Sequence, residues 1–390
     1  MNDERIIFRD RKNTDSCKWD DMTPNFGEEG LHAMWVADMD FQVPSCVQKA
    51  LKDYIDHGVF GYYKVPESYF NAFINWQKKY HSFEVKKEWI RFSPGVVPAI
   101  NWWIQILTEP GDSVAVLTPV YYPFLNAVKA NGRRLAPCDL INSGGLYSID
   151  FDGFEKMIAE TKAKLLIFSS PHNPVGRVWS LEELRRLMDI CRKHGVYVLS
   201  DEIHQDITFG GAKQIPTALA GDYDSFLVTL TAATKTFNLA SCQNSFVIIP
   251  DGTLRKKFDE FTEAIQISDG NSFGYIAVRA AYEEGRPWFE KAKEIIADNE
   301  ACVRKAFSEA LPLVEISPLE GTYLLWMNFS AYLKPEEMKD FMQKTCGLAF
   351  DYGHWFGGDR FASFVRMNLA ASPGSVKKAV DAITSNLPTR

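Results

Sequence analysis

A lysine near the middle of the chain stands where an amine could do covalent chemistry. Lys235 lies in the run Leu-Thr-Ala-Ala-Thr-Lys-Thr-Phe-Asn, just after an apolar stretch at 226–230 that predicts a buried strand. An amine at the carboxyl end of a parallel strand can form a Schiff base with an aldehyde cofactor. Since most lysines beside Ser or Thr are simply solvated, the assignment depends on the other residues that the chain offers.

An acid and a histidine follow another apolar run, at 196–200. Asp201 is therefore expected at the C-terminal edge of the sheet, where ligands of open α/β sheets bind. A carboxylate there could keep a pyridine nitrogen protonated, so that the ring accepts electrons; a turn or cap role is the alternative. An aldehyde that reacts with a lysine and a pyridine nitrogen that pairs with an acid are both features of pyridoxal phosphate. His204 could donate to the phenolic oxygen of this cofactor, or could be a structural histidine.

A phosphate site is predicted at the start of a helix. The run Ser93-Pro94-Gly95-Val96-Val97 precedes a helical pattern, and the free N–H groups of Val96 and Val97 at the positive end of the helix dipole suit a phosphate dianion. Thr231 and Thr234 could add hydroxyl donors. A glycine before a helix can also mark only a turn.

Three further residues suit a pyridoxal phosphate site. Tyr121, just after a predicted strand, could stack on the ring, or pack on the core as a loop tyrosine. Asn173, in Pro-His-Asn-Pro, could hydrogen-bond the ring oxygen, although Asn-Pro is also a common turn. Arg366 lies in an apolar stretch and needs an anionic partner, which is either the carboxylate of an amino-acid substrate or an internal salt bridge.

Composition narrows the class of protein. The chain has 390 residues, which suits two or three domains, and its net charge of −7 argues against general binding to nucleic acid or membranes. We expect small-molecule partners. The start of the chain lacks the apolar core of a signal peptide, and no apolar segment is long enough for a membrane span. We expect a cytoplasmic protein with reduced thiols and no metal, because neither Cys-x-x-Cys nor zinc spacing occurs among the cysteines at 17, 46, 138, 191, 242, 302 and 346.

Alternating strands and helices predict an α/β protein. The run 165–169, a helix between the N-cap Ser180 and Gly195, and the run 196–200 form a βαβ unit, and its doubly apolar strands predict a parallel sheet covered by helices. Further strands are predicted at 114–117, 226–230, 246–249, 321–327 and 364–368, and a long helix at 288–311.

The order of predicted strands and helices changes near residue 285, and this change predicts the domains. Residues 1–45 form an N-terminal arm that contributes to the small domain and the substrate site, 46–284 form a large cofactor-binding domain, and 285–390 form a smaller α+β C-terminal domain.

The combined pattern resembles the fold-type I pyridoxal phosphate enzymes of the aspartate aminotransferase superfamily. Within it, the pattern is similar to the MalY/PatB group of cystathionine β-lyases, or C–S lyases. The resemblance implies a large domain with a mostly parallel seven-stranded sheet between helices. The matching residues are Gly95-Val96-Val97, Tyr121, Asn173, Asp201, Lys235 and Arg366, with the stretches Trp35-Val36-Ala37-Asp38-Met39-Asp40-Phe41, Ser170-Pro171-His172-Asn173-Pro174-Val175-Gly176-Arg177-Val178-Trp179 and Ser200-Asp201-Glu202-Ile203-His204.

The resemblance also implies roles for individual residues. Tyr62 matches a tyrosine that crosses a dimer interface to the neighbouring subunit's phosphate, which makes the expected active unit a homodimer. Tyr121 matches the ring-stacking aromatic and counts with Lys235 and Asp201 among the catalytic residues. Arg366 matches the carboxylate clamp, with Tyr121 and Asn173 beside it. Ala37 lies in the segment that lines the substrate site.

Two positions depart from the common pattern. Ala232 stands three residues before the lysine, where many relatives have a phosphate-binding serine. Gln243 stands eight residues after the lysine, where aminotransferases usually have an arginine. Phosphate binding must then depend on Val96, Val97 and the other predicted donors, Thr231, Thr234 and Tyr62.

The expected activity is β-elimination. Lys235 takes the Cα proton of an amino acid, a thiolate leaves from the β carbon, and the remainder hydrolyses to pyruvate and ammonia; cystathionine would release homocysteine. An aminotransferase shares the early steps, and only the 35–41 segment and the family likeness favour elimination. A ligand-sensing protein without turnover is a third hypothesis, which the full set of catalytic candidates argues against.

Overall fold

The computed structural model describes residues 5–387. Residues 1–4 of the predicted arm and residues 388–390 of the predicted small domain lie outside the described residues. Within 5–387, no helix combines the length and apolar character needed to cross a bilayer.

Fifteen strands and fourteen α-helices are described within residues 5–387. The strands are β1 His32–Ala33, β2 Ile90–Ser93, β3 Ser113–Thr118, β4 Arg134–Asp139, β5 Ile141–Ser143, β6 Leu146–Ser148, β7 Leu165–Ser169, β8 Tyr197–Asp201, β9 Leu227–Thr231, β10 Ser245–Ile248, β11 Glu315–Ile316, β12 Leu324–Asn328, β13 Leu348–Ala349, β14 Asp351–Tyr352 and β15 Phe364–Asn368. The helices are α1 Cys17–Asp20, α2 Thr23–Phe26, α3 Ser45–His57, α4 Glu67–His81, α5 Val96–Leu107, α6 Tyr122–Ala130, α7 Phe151–Thr161, α8 Leu181–His194, α9 Ala233–Thr236, α10 Gly252–Ala264, α11 Ser272–Glu284, α12 Arg286–Ala310, α13 Met338–Asp340 and α14 Pro373–Thr384.

A seven-stranded sheet forms the centre of the fold, in the order β2-β10-β9-β8-β7-β3-β4. The strands from β9 to β4 run parallel, and β10 runs antiparallel to both of its neighbours. Strands β3, β7 and β9 are buried along their whole length, as expected of a sheet covered on both faces by helices. The predicted α/β class with a mostly parallel sheet is confirmed.

The sequence pattern missed two strands of this sheet. Strand β2 carries Arg91 within a short apolar run, and its pairing with β10 depends on residues far along the chain. Strand β4 alternates exposed and buried positions and contains Pro137. Proline lacks the N–H of a central strand, but β4 is an edge strand, where proline is tolerated.

Predicted element bounds differ from the structure by a few residues. Strand β12 begins at Leu324 instead of 321, because Thr322 adopts a positive φ of 68° and its N–H donates to the Ile207 carbonyl. Strand β9 extends to Thr231, which the pattern assigned to the following turn. Helix α8 has the predicted capping box between Ser180 and Glu183.

A second sheet, in the order β11-β12-β15-β14, packs beside the long helix α12. The N-terminal segment contacts this sheet through Asn368 of β15, which donates to the carbonyls of Val36 and Asp38. Its strand β1 pairs in parallel with β13 in a separate two-stranded sheet. Helices α11 and α12 meet at Gly285, where the domain boundary is predicted. These contacts agree with the domain division, which stays a prediction.

Candidate active site

The carboxyl ends of neighbouring parallel strands bring the predicted residues together. Tyr121 follows β3, Asn173 follows β7, Asp201 ends β8, and Lys235 lies in the short helix α9 after β9. All four line one cavity, as expected at this edge of an open α/β sheet. The predicted residues Ala37, Val96, Val97, His204 and Thr234 line the same cavity.

The amine of Lys235 is held between the sheet and the N-terminal segment. Its Nζ donates to the Ala37 carbonyl at 2.6 Å, and the Tyr323 hydroxyl donates to the same oxygen at 2.8 Å. Burial lowers the pKa of Lys235 to about 8; Asp38 and Asp201 oppose the shift. The amine can therefore act as a nucleophile or base near neutral pH.

Asp201 is positioned by the turn that follows β8. Its Oδ1 accepts the Ile203 N–H at 3.0 Å, and only 6% of the residue is exposed. Burial raises the pKa of Asp201 to about 7, while that hydrogen bond and the charge of Lys235 oppose the shift. A cationic ring nitrogen beside this carboxylate would supply the partner that a buried charge needs.

The start of α5 fits a phosphate group. Val96 and Val97 precede the first intrahelical hydrogen bond, which Ala99 donates to Gly95, and Pro98 has no N–H of its own. The free donors at this helix start are therefore the two that the sequence predicts. They face a cavity whose donor set suits an anion.

A buried histidine atom gives a second test of the cofactor's fit. Nδ1 of His204 is buried without a hydrogen-bond partner among residues 5–387, and its ring meets Tyr323 edge-on at 5.7 Å. Burial, with the charges of Lys235 and Arg366, lowers the pKa of His204 well below its usual value. A neutral imidazole with one unsatisfied nitrogen suits a polar group of a bound ring, so the residues present fit pyridoxal phosphate.

Arg366 has an internal anionic partner. It pairs with Asp351 on the adjacent strand β14, directly across the sheet, and its Nη1 donates to Asn173 Oδ1 at 2.9 Å. Both ionic residues are buried, and burial raises the pKa of Asp351. The salt bridge considered as an alternative is therefore present. Nε of Arg366 and Oδ1 of Asp351 have no partner among residues 5–387, so donor capacity remains for a substrate carboxylate.

Four residues from the sequence analysis are not among those that line this cavity in the single chain. They are Arg366, described above, and Thr231, Tyr62 and Gln243. The Thr231 hydroxyl donates to the Glu202 carbonyl at 3.2 Å within buried β9, which leaves Thr234 as the nearby hydroxyl donor. Tyr62 is fully exposed. Gln243 is exposed and follows a turn. Ala232, at the position where similar sequences often have a serine, lines the cavity.

Comparison with known proteins identifies the family. The aminotransferase class I and II family matches residues 36–383. The chain belongs to this family. It is 38% identical to cystathionine beta-lyase PatB of Bacillus subtilis over 97% of this chain and 98% of that protein. Its fold matches cystalysin of Treponema denticola, which contains pyridoxal 5'-phosphate, with a TM-score of 0.93, 34% identity and 97% of each chain covered.

A third similar protein is a C–S lyase. The structure of the PLP-bound C–S lyase from Staphylococcus hominis matches with a TM-score of 0.92 and 32% identity, over 97% of this chain and 96% of that one. These matches confirm the predicted fold-type I architecture and the resemblance to the MalY/PatB group.

Sequence reasoning missed several buried polar residues around Lys235, Asp201 and Arg366. Tyr323 shares the Ala37 carbonyl with Lys235, and Asp351 neutralises Arg366. Glu202, fully buried beside Asp201, accepts hydrogen bonds from Ser200, Gln214 and Thr217. The only available signal for Asp351 was a carboxylate in the apolar run Ala-Phe-Asp-Tyr, which required a buried cation.

A buried polar network supports the helix that carries Lys235. Asp206 accepts from Trp76 Nε1 at 2.8 Å, from His81 Nε2 at 2.7 Å and from the Thr236 hydroxyl at 2.6 Å. Thr236 directly follows Lys235, so the carboxylate ties α9 to α4. Burial raises the pKa of Asp206, but the hydrogen bond and charge of His81, with Thr236 and Trp76, lower it overall.

Replacing Asp206 should destabilise the protein. We expect Asp206→Asn to lower the free energy of unfolding by about 3–5 kcal/mol, because it breaks a buried charged network. Urea titration measures this loss, with Asp222→Asn on the exposed surface as the control, expected to change the free energy by less than about 0.5 kcal/mol. Because the native pKa of Asp206 is lowered, its stabilisation exists above the unfolded-state value of about 4 and disappears as the pH falls further. A variant as stable as the parent at pH 7 would contradict the prediction.

The lowered pKa of Lys235 should be visible in its reactivity. With a pKa of about 8, about a quarter of the amines are neutral at pH 7.5, against about 0.1% for an ordinary lysine. We expect reductive methylation of the cofactor-free protein, followed by peptide mass spectrometry, to show a midpoint near pH 8 at Lys235. Exposed Lys156 serves as the control, and its reaction is followed in the same peptide map. Identical profiles at the two lysines would refute the shift.

Proposed function

We propose that this chain is a pyridoxal-phosphate-dependent C–S lyase that converts L-cystathionine or a related cysteine S-conjugate into a thiol, pyruvate and ammonia. The observation that carries the proposal is the cavity that joins Lys235, Asp201 and Asn173 beside the free N-terminal amides of α5. The similarity to PatB and to the C–S lyase of S. hominis over nearly the whole chain supports the reaction class.

The cofactor, when bound, withdraws electrons from the substrate Cα and so makes its proton acidic. Asp201 would face the ring nitrogen, the amides of Val96 and Val97 with Thr234 would hold the phosphate, and Tyr121 would cover the ring. Burial raises the pKa of Tyr121 to about 12, so its hydroxyl stays protonated at neutral pH and acts as a donor.

The remaining residues would orient the substrate and move its proton. Arg366, supported by Asn173, would bind the substrate carboxylate, and Ala37 would line the side-chain path. Lys235 would take the Cα proton. The electron pair of the former Cα–H bond would form a Cα=Cβ double bond while the Cβ–S bond breaks and the sulfur leaves with its own pair as a thiolate. Water would then hydrolyse the resulting enamine to pyruvate and ammonia.

An aminotransferase is the second candidate, because the family match covers both activities. It would use Lys235 in the same way and differ in where the proton returns. The N-terminal segment that caps the amine through the Ala37 carbonyl lies in the 35–41 stretch that favours elimination.

We also propose a homodimer in which Tyr62 reaches the neighbouring subunit's phosphate site. Apolar and aromatic side chains are exposed around it, with Val59 at 64%, Phe60 at 57% and Ile55 at 52%. Phe60 contacts Phe273, also partly exposed, at 5.5 Å between ring centres. A contiguous exposed apolar patch of this kind marks a contact surface.

A cytoplasmic location is proposed on the chemistry of the thiols. Exposed Cys17 and Cys302 are both free thiols. Reduced thiols are typical of proteins in a reducing compartment.

A product assay tests the proposed reaction. We expect cystathionine alone to yield equal amounts of pyruvate and free thiol, and Lys235→Ala to abolish both together with the visible absorbance of the bound cofactor. Turnover that requires 2-oxoglutarate and releases no thiol would instead establish the aminotransferase.

Mixed dimers test the position of Tyr62. If each site combines Lys235 of one subunit with Tyr62 of the other, a dimer of Lys235→Ala and Tyr62→Ala chains has one intact site. Random reassociation of equal amounts should then restore about a quarter of the wild-type sites. The separately incubated variants are the control. Activity equal to their average would show that Tyr62 does not act across an interface, and a monomer in analytical ultracentrifugation would refute the dimer.

A further inference from the structure

A second cavity is lined in part by His81 and Asp206 of the buried network. It has a volume of about 770 Å³ and shares no lining residue with the active-site cavity. Its walls come from the end of α4, the 205–219 segment after β8 and the first turns of α12. We call it the basic cleft.

The charges that line the basic cleft are mainly positive, although the chain as a whole carries −7. Lys79, Lys213, Arg286 and Lys293 contribute four cations, against one carboxylate, Asp206, which His81 and its other donors already satisfy. Such a concentration of cations in an acidic protein attracts an anion.

Three of these cations have no carboxylate within ion-pair distance among residues 5–387. They are Lys79, Lys213 and Lys293, whereas Arg286 pairs with Glu290. Lys293 is partly buried between the rings of Phe209 and Phe289, at 5.8 and 5.6 Å. Burial lowers the pKa of Lys293, and the charges of Glu290 and Asp206 oppose that shift in part. A bound anion would oppose it further.

Buried polar atoms in the same wall also lack partners. Gln205 is 3% exposed and Gln214 is 8% exposed, and both line the cleft. Nε2 of Gln205 and Oε1 of Gln214 have no hydrogen-bond partner among residues 5–387, although Nε2 of Gln214 donates to Glu202. An unsatisfied donor and an unsatisfied acceptor on residues that line the same cleft as the cations suit a ligand that carries both an anion and a hydroxyl group.

We propose that the basic cleft binds a small hydroxylated phosphate ester. The phosphate lies among Lys79, Lys213 and Lys293, with Gln205 as a further donor, and a hydroxyl group donates to Oε1 of Gln214. The apolar side chains of Phe209 and Leu219 flank the carbon part of the ligand. The site is independent of the proposed lyase activity.

Isothermal titration of the cofactor-loaded protein with glycerol 3-phosphate tests the proposal. The loaded form keeps the cofactor's own phosphate site filled. We expect saturable binding at constant ionic strength, none for glycerol, and an affinity reduced roughly tenfold or more in Lys213→Gln/Lys293→Gln. Lys129→Gln/Lys156→Gln removes two surface lysines outside the cleft and should bind as the parent does.

A second variant keeps the test valid if the first one folds poorly. Lys79→Gln/Lys213→Gln changes only exposed side chains and should weaken binding in the same way. Inorganic phosphate should bind more weakly than the ester, since it lacks the carbon-borne hydroxyl. Absence of saturable binding, or equal affinity in the cleft variants and the control, would overturn the proposal. Cystathionine cleavage measured in parallel reports on the lyase function separately.

Discussion

The structure depends on the balance of buried charge around Lys235. Two cations, Lys235 and Arg366, and two carboxylates, Asp201 and Asp351, are buried at or beside one cavity. An isolated ion in such a place is strongly destabilising, so each charge needs a partner or a shifted pKa. Here Arg366 has Asp351, whereas the pKa of Lys235 falls and that of Asp201 rises. A charged cofactor and substrate can supply the partners that Lys235 and Asp201 lack.

The surrounding elements keep this balance in place. The parallel strands deliver their carboxyl ends to one edge, and the N-terminal segment closes over the lysine by offering the Ala37 carbonyl to its amine. Below α9, Asp206 joins three donors from α4 and α9, so the backbone next to Lys235 cannot shift without breaking a buried network. His81 and Asp206 of the same network line the basic cleft, and Lys235, next to Thr236, lines the active-site cavity.

The extent to which a strand is buried decides whether the sequence pattern predicts it. Continuous apolar runs predicted β7 within its bounds because a doubly covered strand must be apolar throughout. The pattern did not predict the edge strand β4, because its exposed positions need not be apolar. The sequence pattern assigned Thr231 to the turn, because residue propensity does not define where a strand ends. In the structure Thr231 is the last residue of β9, and its hydroxyl donates to the Glu202 carbonyl.

The sequence by itself determined the α/β class and most of the residues that line the active-site cavity, because strand-ending positions in a parallel sheet must converge on one edge. Only the tertiary structure decided that Arg366 pairs with Asp351, that Tyr323 shares the Ala37 carbonyl, and that Asp206 supports α9. Those contacts join residues from distant parts of the chain, and the pKa shifts come from burial and neighbouring charge. The spacing of residues in the sequence predicts neither the contacts nor the pKa shifts, because both depend on which segments the fold packs against each other.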